Sequence, residues 1–337
     1  MTQYVEAVPK DDFAAQQLLQ GKPDSQSKPK YRRSSSRLKM LELMNPSHRQ
    51  SFSSWDDLTS SEFTIDEVDF AKGHRVGCDE DNSNMYMVKR LCKDWYNVDK
   101  QAAMRLASEA ELLAQLSHTN TVSINATIGV RGTGTFGFVN DRIVSSLSEI
   151  LVLWKQEYKK AKGMLGFNKD AATLEKSVST RYTALFGIAS GLRYLHSRQI
   201  IFRGLCPQVC GYDSSGTMKL FEFSSAKQID GRTTNEDYKP TEVHARLPYL
   251  ANEIIVGDAY GSAADVYSLG IVFWEVMALK KAKKLCGKDK SSSMPKLRCV
   301  PSRLASFMVS ACSPKMSDRP DMEDMCDHLE AAILYGK

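Results

Sequence analysis

The chain has 337 residues, 42% apolar and 25% charged, which is ordinary globular usage and excludes fibrous, collagen-like and wholly disordered classes. Its length suits two domains, or one large two-lobed unit with a tail. A net charge of +5 is too small a surplus over this length to argue for nucleic-acid binding.

The eight cysteines (Cys78, Cys92, Cys206, Cys210, Cys286, Cys299, Cys312 and Cys326) include no C-x-x-C pair of the zinc or thioredoxin-like kind, so they read as reduced, mostly buried thiols. Met1 to Lys10 lacks the basic-then-apolar order of a signal peptide. The longest apolar stretch, Leu269 to Leu279, is interrupted by Glu275 and falls short of the ~20 residues that cross a bilayer. No membrane span is expected, and the predicted location is cytoplasmic, with the nucleus also open to the chain.

Between Lys22 and Gln50, eight basic side chains face only Asp24 and Glu42, a local +6 that exceeds the net charge of the whole chain. The segment is rich in Ser and Pro and poor in β-branched apolar residues, so burial cannot offset the entropy of ordering it. Residues 1–61 are therefore predicted as a disordered basic tail. Arg32-Arg33-Ser34-Ser35-Ser36 has the character of a phosphate acceptor for a basophilic kinase, or of a cluster drawn to anionic surfaces. A solvated basic linker is the simpler account.

Phe63, Ile65, Val68 and Phe70 partly alternate with polar residues, and Met85 to Leu91 follows the stretch Gly73 to Asn84, which predicts two strands joined by a loop. Ala103 to Leu116 has helical spacing in a run of good helix formers. Val122 to Val130 and Phe136 to Val139 read as strands, Leu147 to Tyr158 and Tyr182 to His196 as helices, and the Lys-rich stretch Lys155 to Lys176 as a loop. Short strands are predicted at Ile200 to Phe202 and Met218 to Phe221, then a buried helix beyond Asp265 and two more helices, Pro301 to Ala311 and Asp321 to Ile333. Strands first and helices later make an α+β plan.

Several landmarks lie in the order of one known family. Met87-Val88-Lys89 is similar to the strand motif V-A-I-K, Glu109 follows 20 residues on, and His118-Thr119-Asn120-Thr121-Val122 is similar to H-P-N-I-V. Phe202-Arg203-Gly204-Leu205-Cys206-Pro207 stands where H-R-D-L-K-P would be, and Lys219 to Ser224 where K-L-x-D-F-G would be. Ala251-Asn252-Glu253 replaces A-P-E, Asp265-Val266-Tyr267-Ser268-Leu269-Gly270 is nearly intact, and Asp318-Arg319-Pro320 is intact. From about Phe63 to Leu334 the chain resembles a eukaryotic protein kinase. The resemblance implies a bilobal fold, with a β-rich lobe over 62–140 and a helical lobe over 141–337.

Gly132-Thr133-Gly134-Thr135-Phe136-Gly137-Phe138-Val139 also fits the phosphate-cradling G-x-G-x-x-G-x-V, with Lys155 downstream. Too little chain separates Lys155 from Arg203 for the helix, strands and hinge that the resembled fold requires. This segment is predicted as a glycine-rich strand connection. At the expected place before Lys89, the three glycine positions hold Val68, Phe70 and Gly73, so backbone N–H groups cannot crowd a phosphate there.

Phosphoryl transfer by the resembled family needs a catalytic-loop Asp to take the hydroxyl proton, and an Asn and the D-F-G Asp to hold magnesium. This sequence has Gly204, Val209 and Glu222 at those positions, with Cys206 in place of the loop Lys. Losing general-base help typically lowers a rate by ~10²–10⁴. Val209 offers no oxygen to a hard cation, and Glu222, the one candidate metal ligand, adds a methylene. Lys89 and Glu109 remain as candidate nucleotide contacts, or as a bridge that merely orients the helix. Met87, where a small residue is expected, has the bulk to fill the adenine space. ATP and magnesium are thus the cofactors the resemblance implies and these departures argue against.

The packing positions Leu113, Ile124, Phe202, Phe223 and Asp265 are kept, as is the candidate buried pair Glu253–Arg319. Supports kept and chemistry lost are expected of a pseudokinase, a scaffold or allosteric regulator in phosphorylation signalling whose partners are proteins, an active kinase among the candidates. An atypical ATP-dependent kinase of low activity is the alternative. Arg203 is the expected receptor for a phosphate on Thr233, Thr234, Tyr238 or Thr241. Arg246 and Leu247 depart from the family's substrate-positioning residues, and Lys280 to Lys296 is Lys- and Ser-rich where the family docks partners.

Overall fold

The computed structural model describes residues 50–52, 64–66, 74–77, 85–91, 100–162, 171–229, 247–282, 297 and 300–335. The chain divides into two units, residues 1–145 with 212–217, and residues 146–211 with 218–337.

The first unit is built on a six-stranded sheet of order β1-β5-β6-β4-β3-β2. Its strands are β1 (Gln50–Phe52), β2 (Thr64–Asp66), β3 (His74–Gly77), β4 (Met85–Arg90), β5 (Ile124–Ile128) and β6 (Gly137–Asp141). β1 runs parallel to β5, and the other pairs are antiparallel. Helix α1 (Lys100–Ala114) buries Ala103, Leu106, Ala107, Ala110 and Leu113, the i, i+3, i+4 stripe that a helix lays on a sheet. Two expectations change. The stretch after Gly73 contains β3, whose polar His74 and Arg75 hide it from pattern reading; it forms because backbone partners flank it on both sides. Gln50–Phe52 lies inside the expected tail, yet it adds a parallel edge strand. The rest of that tail, Ser34 to Ser36 included, lies outside the described residues.

The glycine-rich stretch is the turn between β5 and β6. Ile128 pairs with Gly137 across it, and Gly129 (φ +70) and Gly132 (φ +75) take left-handed conformations. A Cβ on Gly129 would lie 2.3 Å from the Thr135 carbonyl oxygen, so the glycine there serves a tight turn. The Thr133 hydroxyl donates to the Val130 carbonyl at 2.7 Å.

The second unit is mainly helical: α2 (Leu147–Lys162), α3 (Ala171–Ser197), α4 (Asn252–Val256), α5 (Ala263–Ala278), α6 (Ser302–Ala311) and α7 (Met322–Tyr335). A capping box opens α2: Ser146 N–H donates to the Glu149 carboxylate at 2.8 Å, and Glu149 N–H to the Ser146 hydroxyl at 3.4 Å. The loop predicted over 155–176 is corrected at both ends, where 155–162 belong to α2 and 171–176 to α3, while 163–170 lie outside the described residues. Lysines 155, 159, 160 and 162 extend α2 on an exposed face while Trp154 and Ala161, seven residues apart, hold its inner face. Lysine is a good helix former, and its abundance had imitated a linker. α5 is buried along nearly all its length, as its apolar run predicted.

β7 (Ile143–Ser146) precedes α2, and between the helices lie β8 (Ile200–Ile201), β9 (Cys210–Asp213), β10 (Met218–Leu220) and β11 (Lys227–Gln228), with β8 antiparallel to β11 and β9 beside β10. β9 has no apolar alternation, so pattern reading finds no strand there. No described helix is long and apolar enough to cross a membrane.

Candidate functional site

In the first unit, β4 carries Lys89 opposite Phe138 of β6, and α1 carries Glu109. Lys89 Nζ lies 2.7 Å from Glu109 Oε1 and 2.6 Å from Oε2, with both side chains 1% exposed. Taking two charges out of water this completely is tolerated only when each meets the other at hydrogen-bond distance. Met87, two residues earlier and so on the same strand face, is half-buried. Leu113 and Ile124 are buried in this unit. Val68, Phe70 and Gly73 lie outside the described residues.

In the second unit, β8 delivers the chain into the loop 202–209. The wholly buried Asp265, in the first turn of α5, shapes its entry: Phe202 N–H donates to Oδ2 and Arg203 N–H to Oδ1, each at 2.8 Å, and His196 Nε2 lies 2.9 Å from Oδ2. Arg203 itself takes φ +59, a left-handed conformation that costs a non-glycine residue about 1–2 kcal/mol and persists because neighbours hold it.

Beyond Arg203 the loop turns inward. Gly204, Leu205, Cys206, Pro207 and Val209 are buried, and only Gln208 is exposed. Val209 N–H closes a turn on the Cys206 carbonyl at 3.1 Å, and its own carbonyl accepts from Phe221 N–H at 3.0 Å. The last bond brings the Val209 position next to the stretch that holds Glu222. The Cys210 thiol donates to the Cys206 carbonyl at 3.4 Å, and burial pushes its pKa well above the usual thiol value. It is no nucleophile at neutral pH. Cys206, Cys210, Cys312 and Cys326 are all buried and in the thiol form.

Glu222 is buried with φ +64, ahead of a single 3₁₀ turn, Phe223–Ser225. The Ser224 hydroxyl donates to its Oε1. Phe223 packs edge-on against Phe202, with ring centroids 5.2 Å apart. Arg203 reaches the same turn, its Nε donating to the Ser225 carbonyl at 2.6 Å, while Nη1 donates to the Tyr260 hydroxyl at 2.7 Å. Among the described residues no three His, Cys, Asp or Glu side chains come together as metal ligands. Gly204 and Val209 add no oxygen beside Glu222, so this donor set does not fit magnesium.

Glu253, on α4, meets Arg319 in a fork, Nη1 to Oε1 at 2.6 Å and Nη2 to Oε2 at 3.0 Å. Arg319 also donates to the carbonyls of Ser313 and Ala263, both at 2.9 Å, and lies over the Tyr267 ring. Two buried anchors were not foreseen. The Tyr249 hydroxyl donates to Glu275 Oε2 at 2.5 Å, and Arg181 Nη1 donates to the Met277 carbonyl at 3.1 Å near the end of α5. A signal for Arg181 existed: it precedes the apolar Tyr182 and Leu185 on α3, where a solvated Arg would be out of place. Thr233, Thr234, Tyr238, Thr241 and Arg246 lie outside the described residues, as does most of Lys280 to Lys296.

The family described as protein tyrosine and serine/threonine kinase matches residues 67–329. Protein kinase 3 of Dictyostelium discoideum is 27% identical over 221 residues, 64% of this chain and 23% of that protein. Mitogen-activated protein kinase kinase kinase 3 of Homo sapiens is 25% identical over 238 residues, 68% of this chain and 35% of that protein. A protein named inactive tyrosine-protein kinase 7, from Gallus gallus, is 23% identical over 248 residues, 70% of this chain and 22% of that protein. The matched region is thus about a third or less of each relative's length.

Proposed function

The chain belongs to the protein tyrosine and serine/threonine kinase family, and from that premise we propose that it acts without phosphoryl transfer, as a protein-binding scaffold or allosteric regulator in phosphorylation signalling. The observation that carries this reading is the loop 202–209. It keeps its backbone anchors on Asp265 while its side chains have become a glycine, a buried thiol and a buried valine. Neither Gly204 nor Val209 can take a proton from a hydroxyl, and Glu222 accepts from the Ser224 hydroxyl at its Oε1. Loss of the base and of metal ligation each removes orders of magnitude in rate, and their combination leaves transfer near background. The likeness to a relative named inactive supports the same reading. Its partners are proteins, an active kinase among them.

The preserved Lys89–Glu109 pair favours a second reading, an ATP-dependent kinase of low activity that uses Glu222 for metal. Purified full chain, incubated with radiolabelled ATP and magnesium, separates the two. We expect label at background, unchanged by Lys89→Ala; label that Lys89→Ala abolishes decides for the kinase. Melting with and without magnesium-ATP then asks whether nucleotide binds at all, since ligand at 100 times Kd adds about 2.7 kcal/mol.

A further inference from the structure

Arg203 holds two separate pieces of chain. Its Nε is spent on the Ser225 carbonyl, and its Nη1 points at the phenolic oxygen of Tyr260, 2.7 Å away. Tyr260 stands on the connection 257–262 between α4 and α5. Residues 255–259 are exposed and Tyr260 is half-buried. A Cβ added at Gly257 or at Gly261 would meet nothing within 4 Å, so open space borders this connection on both sides of the tyrosine. Among the other described tyrosines of this unit, Tyr182, Tyr249 and Tyr267 are closed to an enzyme at 4%, 6% and 2% exposure, Tyr158 and Tyr194 are half-buried, and Tyr335 is 72% exposed, while Tyr260 has a guanidinium at its hydroxyl.

We propose that Tyr260 is a phosphorylation site whose phosphate is received by Arg203. A separate tyrosine-directed kinase supplies the group from ATP. The phenolic oxygen bonds to the γ-phosphorus, the bond from that phosphorus to the β–γ bridging oxygen breaks, ADP leaves, and the phenolic proton passes to the modifying enzyme's base. The receiving group is already aimed. A planar guanidinium suits phosphate oxygens, and phosphate turns the present bond from charged donor to neutral hydroxyl into one between opposite charges. Asp258, exposed and two residues earlier, is the like charge the phosphate meets along its own segment. The modification tightens the tie between the 257–262 connection and the turn at Ser225, and its site lies after Glu253, outside the stretch where a phosphate for Arg203 was expected.

The full chain, treated with a broad-specificity tyrosine kinase and magnesium-ATP, tests this. Peptide mapping by mass spectrometry locates the phosphate among the 13 tyrosines. We expect incorporation at Tyr260 that Tyr260→Phe removes, and a rise in Tm of about 2–4 °C that Arg203→Gln abolishes. Should Arg203→Gln fail to fold, ³¹P NMR of the modified wild type gives the answer: a phosphate on a guanidinium titrates below the ~6 of a solvated phosphotyrosine. A phosphate at Tyr260 that titrates as it does after denaturation, or a folded chain that takes no phosphate there, overturns the proposal.

Discussion

Replacing Glu253 by Ala removes one side of the buried fork with Arg319 and leaves a guanidinium at 0% side-chain exposure without its carboxylate. The carbonyls of Ser313 and Ala263 and the Tyr267 ring remain around it, and none carries a negative charge. Breaking such a pair from one side costs about 3–5 kcal/mol. At about 2–4 °C per kcal/mol for a unit of this size, the expected fall in Tm is about 6–20 °C. The exposed pair Arg193–Glu323, at 39% and 63% exposure, supplies the contrast, since Glu323→Ala should cost no more than about 1 kcal/mol. Arg319→Met should be as damaging as Glu253→Ala, because two carbonyls also lose a donor. The double variant Glu253→Ala with Arg319→Met removes both charges, and its loss should fall short of the summed single losses by about 2–3 kcal/mol. Urea melts of the wild type and the four variants, followed by far-UV circular dichroism, measure this. Single losses that simply add, or a Glu253→Ala no weaker than Glu323→Ala, would refute the assignment of the pair as the anchor of α4.

Lys89→Met should lower stability by about 3–5 kcal/mol, since the Glu109 carboxylate stays buried without its ammonium; chemical denaturation that finds no change removes the pair from the list of supports. Burial raises the Glu275 pKa above 4.5, against the lowering effect of the Tyr249 hydroxyl. A raised carboxyl pKa means that the folded state binds the proton more tightly, so the penalty of its charge is fully present above the folded pKa and fades as pH falls towards 4.5. Glu275→Gln should therefore stabilise the protein most near neutral pH, with a gain that shrinks on acidification; a gain independent of pH in melts between pH 4.5 and 8 contradicts this. Gly129→Ala pushes a Cβ onto the Thr135 carbonyl at positive φ, whereas Gly257→Ala meets open space at the same kind of φ. The first should cost clearly more than the ~1 kcal/mol of the second, and equal shifts in Tm would mean that the β5–β6 turn yields easily.

What was legible in the sequence depended on how local its signal was. The unbroken apolar run after Asp265 forecast α5, and the motif order forecast which carboxylate meets Lys89 and which meets Arg319, partners 20 and 66 residues apart that no periodicity could join. β3 and β9 went unseen because backbone pairing with neighbours makes them strands, while their side chains carry no alternation. At the site, the identities of Gly204, Val209 and Glu222 were readable as departures from the family's motif. Their surroundings were not forecast: the bond from Ser224 to Glu222, the reach of Arg203 to Tyr260, and the bond from Tyr249 to Glu275 depend on side chains brought together by the turn at 223–225 and by the packing of α5.

Gln199, Arg203 and Glu222 all hold left-handed backbone at φ 58°, 59° and 64°. Each position rejects Val, Ile and Thr on steric grounds and favours Gly, Asn or Asp, whatever the protein does. A saturation library selected only for folded protein would therefore mark the rim of this loop as intolerant. Sequence constraint around residues 199–222 is a record of shape, and substitution patterns in this stretch would look like those of a working enzyme even where selection acts on the fold alone.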